Sequence, residues 1–176
     1  RLLWRGIHDA GMVREALTTD LKVAAAEGGR LKVRAEVRNT GAGHYFPTYL
    51  VPKVWLRLVA VDAEGRERAR LAETVIARDV DVWLTEERSD TRLAPDAARV
   101  LEAELAPPPE DGWQIELRID VAPREHYERM FASVLRDSSV QLDAVTRGVL
   151  EAALAEARAA RYTALTERRP LAAIAN

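Results

Sequence analysis

Three histidines, His8, His44 and His126, offer the side chains of this sequence best suited to metal or proton chemistry near neutral pH. One of them has an unusual setting. The run Asn39-Thr40-Gly41-Ala42-Gly43-His44-Tyr45-Phe46-Pro47-Thr48 puts an aromatic-flanked histidine in a glycine turn directly after a strand-like segment. Gly41 and Gly43 permit positive φ and close backbone approach, and Pro47 fixes the chain again, so the His44 imidazole sits on a defined corner. Such a corner can present a metal ligand, and it can equally be a β-turn whose histidine packs on Tyr45. His8 is also a presented imidazole, because Asp9 is a good N-cap type and leaves His8 just outside a helix start. His126 follows Arg124-Glu125 where another helix begins and reads as a surface histidine.

Other chemistries find little support. The chain has no cysteine, which removes disulfides, thiolate metal sites, cysteine nucleophiles and covalent haem attachment through Cys-x-x-Cys-His. Ser89, Ser133, Ser138 and Ser139 lie in no Gly-x-Ser-x-Gly context, so a serine hydrolase is not indicated. Gly41-Ala42-Gly43 lacks the lysine and hydroxyl residue of a phosphate-binding loop. Aspartates and glutamates are plentiful, but no pair stands out as a sugar-cleaving couple. A zinc or copper site built from His8, His44 and His126 would have to form without a closely spaced pair such as His-x-x-x-His. No enzyme activity is expected.

The elements that position the histidines follow from hydrophobic period. Met12, Val13, Ala16 and Leu17 fall at helical spacing after Asp9. Leu21, Val23 and Ala25 alternate, Glu27-Gly28-Gly29 turns, and Leu31, Val33, Ala35 and Val37 alternate again, which predicts a hairpin. Further strands are expected over Val54 to Val61, Arg68 to Ala77, Arg99 to Leu105 and Trp113 to Val121. Ala94-Pro95-Asp96 and Pro107-Pro108-Pro109 fit loops. After Pro123 helix formers take over, with one helix expected over Arg124 to Leu135 and a second from about Val140 to Leu165. The fold class is therefore mostly β: an antiparallel immunoglobulin-like sandwich with a short N-terminal helix and C-terminal helices. The division reads 1–20 as lead-in and short helix, 21–122 as the sandwich and 123–176 as a helical appendage. The moderate apolar stripe of the last helix, with Val145, Val149, Ala152 and Ala153, fits either packing on the sandwich or a homo-oligomer contact.

A length of 176 residues and 48% hydrophobic content suit one main core. The formal charge of -2, with signs interspersed, gives no basic stripe, so nucleic acid is not an expected partner. No apolar stretch is long enough to span a bilayer, and the first residues lack the order of a secretory signal, so the chain as it stands is expected to be soluble. It begins at Arg1, which is expected of a processed protein, a fragment or the tail of a longer chain.

Gly6-Ile7-His8-Asp9 with Met12-Val13, then the strand Leu31 to Val37, then Asn39 to Thr48, resembles the β-sandwich domain at the C-terminal end of many multihaem c-type cytochromes. That family carries a Gly-Gly-His-Asp element and a Gly-Ala-Gly-His-x-x-Pro-Thr-Gly element in this order. Ile7 replaces the second glycine of the first element and Tyr49 the last glycine of the second. The resemblance runs from about Trp4 through Val121 and implies that His8 and His44 are axial ligands to haem iron. Tyr45, Phe46 and Trp4 would supply apolar cover, although ordinary core packing also accounts for them. Without Cys-x-x-Cys-His, haem c ligated here must be attached to another chain or to an upstream segment, which makes a haem-bearing cytochrome chain the implied partner. The resemblance also implies an extracytoplasmic location, periplasmic or at the cell surface. Two other readings stand beside electron transfer: a structural or adhesive sandwich without haem, and a small histidine-based metal-binding protein.

Overall fold

A computed structural model describes residues 6–171, and Trp4 lies outside the described residues. Two antiparallel sheets face each other. The first has strand order β1-β2-β7, with β1 Leu17–Ala25, β2 Leu31–Asn39 and β7 Ala98–Leu105. The second has order β4-β3-β8-β9, with β3 Lys53–Val61, β4 Glu67–Ile76, β8 Gln114–Ala122 and β9 Tyr162–Pro170. The expected sandwich is present.

Alternation explains the core. Val33, Ala35 and Val37 of β2 and Val54, Leu56 and Leu58 of β3 are fully buried, as are Ile115, Leu117 and Ile119 of β8. Each set occupies every second position, so one face of each strand meets the opposing sheet. Burying one such branched side chain stabilises the fold by about 1.5–3 kcal/mol.

The N-terminal part is a 3-10 turn, Gly6–His8, and a helix α1, Ala10–Ala16. Asp9 caps the helix: its Oδ1 accepts from Gly11 N at 2.7 Å and from Met12 N at 3.3 Å. Helices α2, Glu125–Arg136, and α3, Ala144–Ala159, follow the sandwich.

Two differences from the sequence reading matter. The last helix ends at Ala159 instead of continuing to Leu165, and the chain returns as β9 on the open edge of β8. Alanine, leucine, glutamate and arginine favour helix locally, but the exposed ladder of β8 outweighs propensity in this segment. The second difference is a small hairpin, β5 Arg78–Val80 and β6 Glu87–Asp90, whose charged strands carry no hydrophobic alternation to betray them. Its tip is held by Asp81, which accepts from Trp83 N at 3.1 Å, Thr85 N at 2.5 Å and Glu86 N at 2.8 Å.

β9 also anchors the N-terminal turn. The Tyr162 hydroxyl donates to Ile7 O at 2.6 Å, and Arg14 Nη1 donates to Ala164 O at 3.0 Å. Burial, together with the nearby Asp9 carboxylate, pushes the Tyr162 phenol up to about 12, so it remains a donor.

Candidate functional site

Loop 40–48 leaves the end of β2 and is fastened from three sides. Asn39 is fully buried; its Nδ2 donates to His44 O at 2.8 Å and Leu93 O at 3.1 Å, while its Oδ1 accepts from Ala42 N at 3.1 Å. A buried amide must satisfy both ends, and Asn39 does so only along this loop path. On the second side, Thr40 N and Gly41 N both donate to Ala16 O at 3.1 Å, joining the loop to the end of α1. Only glycine permits that approach, since a Cβ on Gly41 would lie 1.9 Å from Glu15 O. On the third side, Phe46 and Leu93 exchange backbone hydrogen bonds of 2.8 and 2.9 Å, next to a cis Phe46–Pro47 peptide.

His44 is exposed on this clamped loop. Its Nδ1 lies 2.9 Å from Tyr45 O and 3.2 Å from Thr48 Oγ1. A carbonyl can only accept, so the contact places a proton on Nδ1, and in the neutral ring the lone pair is then on Nε2. No hydrogen bond from a described residue reaches Nε2. Metal-ligating imidazoles are held in this way, with the second ring N–H on a carbonyl, a carboxylate or water.

His44 lines a cavity of about 280 Å³ between α1 and the loop, together with Ile7, Met12, Val13, Phe46 and Thr48. Phe46 forms its inner wall and belongs to the core, being only 5% exposed. Tyr45 is not part of the lining. Its half-exposed ring packs under the Arg92 guanidinium, 5.1 Å from the ring centre, while Arg92 Nη1 donates to Thr48 O at 2.9 Å.

His8 is exposed at the end of its 3-10 turn and does not line the His44 cavity. Partial burial and the Arg124 guanidinium hold its pKa below the ordinary histidine value, which favours the neutral, ligating form. His8 and His44 do not share a cavity. Among the described residues, no group of three or more His, Asp or Glu is arranged to hold a metal ion. Haem iron makes no such demand, because the porphyrin fills four positions and an imidazole fills one.

His126 is not a surface histidine. It is 3% exposed, because the start of α2 tucks under the loop after Tyr49, with His126 N donating to Val51 O at 3.0 Å.

No family model and no curated protein matches this sequence. Among solved structures it is similar to a penta-haem cytochrome c552 from Thermochromatium tepidum, with 20% identity, a TM-score of 0.59 and coverage of 94% of this chain and 42% of that one. This chain shares its fold with part of a multihaem cytochrome. It spans less than half the length of that protein. A CARDB domain from Pyrococcus furiosus, in complex with di-metal ions, is more distant, with 17% identity, a TM-score of 0.34 and coverage of 58% of this chain and 67% of that one. Among the described residues, no helix is long and apolar enough to cross a membrane.

Sequence reasoning missed the residues that hold the His44 loop in place. Asn39 had a legible signal, an Asx residue ending a strand just before a glycine turn. Arg92 and Leu93 had none, since they are far from the loop in sequence and reach it only through the topology.

Proposed function

We propose that this chain is an electron-transfer accessory domain that offers axial imidazoles to haem groups covalently held by another chain or by an upstream segment. The carrying observation is the His44 imidazole, fixed through Nδ1 on Tyr45 O at 2.9 Å with Nε2 open on an exposed, clamped loop. The shared fold with part of a multihaem cytochrome supports the reading. Bound haem would supply one-electron redox chemistry, and His44 would contribute a low-spin-favouring nitrogen ligand. Asn39 and Gly41 hold the loop, and Phe46 and Met12 keep its inner side apolar. His8, outside the His44 cavity, suits a second haem better than the opposite face of the same one. No substrate chemistry belongs to this chain, and an extracytoplasmic location follows from the same reading, since haem c is assembled outside the cytoplasm.

The test is purification from the native source with covalent-haem staining and oxidised and dithionite-reduced visible spectra. Haem on a co-purifying band, or on a longer form of this chain, with a low-spin spectrum supports the proposal. A featureless spectrum with no haem-stained band overturns it.

A further inference from the structure

A second, larger cavity of about 720 Å³ opens on the other side of the 48–51 loop segment, between the β5–β6 hairpin tip and the start of α2. Its walls are aromatic and apolar. Trp83 and Leu84 project from the hairpin tip at 58% and 59% exposure, facing a cavity shared with Tyr49, Tyr127 and Met130. Trp83, Leu84, Tyr49 and Tyr127, all left open to water around one concavity, are costly unless something covers them.

The tip is tied by hydrogen bonds and strained. Asp81 collects three backbone N–H groups and the Thr85 hydroxyl, which holds its pKa down to about 2, chiefly through the Glu86 N–H and against partial desolvation. Leu84 lies at φ 61, a left-handed conformation rarely adopted by a bulky residue and found where structure over-determines a functional geometry.

Polar groups at this cavity are few and mostly committed. Arg92 binds Asp90 through Nη2 at 2.6 Å and stacks on Tyr45, and Arg78 pairs with Glu87 at 2.6 Å. The rim is therefore charge-balanced and does not call for an anion. The exception is His126, buried in the wall with Nδ1 lacking any partner. A bare acceptor is tolerated better than a bare N–H, so the ring proton belongs on Nε2, the nitrogen left to serve a bound group. Burial, then the nearby Arg129, lowers the His126 pKa and keeps the ring neutral.

We infer that this aromatic cavity is a binding site for a neutral, planar aromatic ligand bearing a ring carbonyl, a quinone-type molecule, stacked among Trp83, Tyr49 and Tyr127 with its carbonyl accepting from His126. The size and lining match small-molecule sites, which are typically about 300–1,000 Å³, largely apolar and supplied with a few fixed polar groups. The site stands apart from the haem reading and does not require it.

The test is calorimetric titration of this chain with 1,4-naphthoquinone, and with naphthalene as the same ring system without carbonyls. The chain has no cysteine to be alkylated by the quinone. Saturable one-to-one binding is expected, with naphthalene weaker by about tenfold, as loss of one hydrogen bond of ~1.4 kcal/mol implies. His126→Phe should bring the two ligands to equal affinity, and Trp83→Ala, on an exposed tip that leaves the core intact, should weaken both by about tenfold or more. Thermal melts check that both variants fold. Absence of saturable binding, equal affinity of the two ligands for the unaltered chain, or unchanged affinity in folded Trp83→Ala overturns the inference.

Discussion

Two histidines on opposite sides of one loop segment have opposite fates. His44 stands exposed on the 40–48 loop with Nδ1 satisfied by a carbonyl, whereas His126 lies buried behind residues 49–51 with Nδ1 unpaired. The first is oriented by hydrogen bonds and offers a lone pair outward. The second is oriented by packing and carries an unmet polar group inward. The difference teaches that histidine chemistry is set by which ring nitrogen is already occupied and by what surrounds the other.

The contrast breaks most severely if the His44 loop loses its seat on α1. Gly41→Ala would drive a Cβ into backbone 1.9 Å away, and a loss of about 3 kcal/mol or more in chemical denaturation is expected. Asn39→Ala comes next. It strands His44 O and Ala42 N and leaves Leu93 O with Phe46 N alone, so about 2–3 kcal/mol should be lost, with the Ala42 backbone amide becoming faster in hydrogen exchange.

The buried histidine sharpens the comparison through pH. Its folded pKa is lowered, so the unfolded chain takes up a proton first as pH falls. The stability it contributes is complete above about pH 6.5, the unfolded value, and declines as pH drops below it toward the folded pKa. His8, shifted in the same direction, adds to this. Urea midpoints measured between about pH 7 and 5 should fall, with a slope of at most ~1.4 kcal/mol per pH unit for each group, and His126→Phe should flatten the curve. The carboxylates with lowered pKa, Asp79, Asp81 and Asp90 among them, act with the same sign but only below about pH 4, so the two windows separate. The smallest effect belongs to Tyr162→Phe, which removes one hydrogen bond to the His8 turn and should cost about 1 kcal/mol in the same urea titration.

Much of the sandwich was legible because β2 and the first part of β3 alternate, β1 and β8 carry apolar residues at every second position, and turn residues bound them. The corner bearing His44 was legible from Pro47 and from the close approach at Gly41, although neither Gly41 nor Gly43 adopts the expected positive φ, and the α1 cap was legible from Asp9. What sequence concealed were features created by distant partners. β9 is a strand because β8 leaves an edge beside it, despite a composition that favours helix. His126 is buried where the start of α2 is bonded to Val51 O, and neither residue signals the other. The β5–β6 tip depends on Asp81 gathering backbone N–H groups, a local motif without hydrophobic pattern.

The central claim is that His44 Nε2 is an axial ligand to haem iron. Low-temperature electron paramagnetic resonance of the ferric haem-bearing assembly, with and without His44→Ala, addresses it directly. Conversion of one low-spin haem signal to high spin in the variant, with the remaining signals unchanged, is the predicted result. An identical set of low-spin signals in both proteins would contradict it.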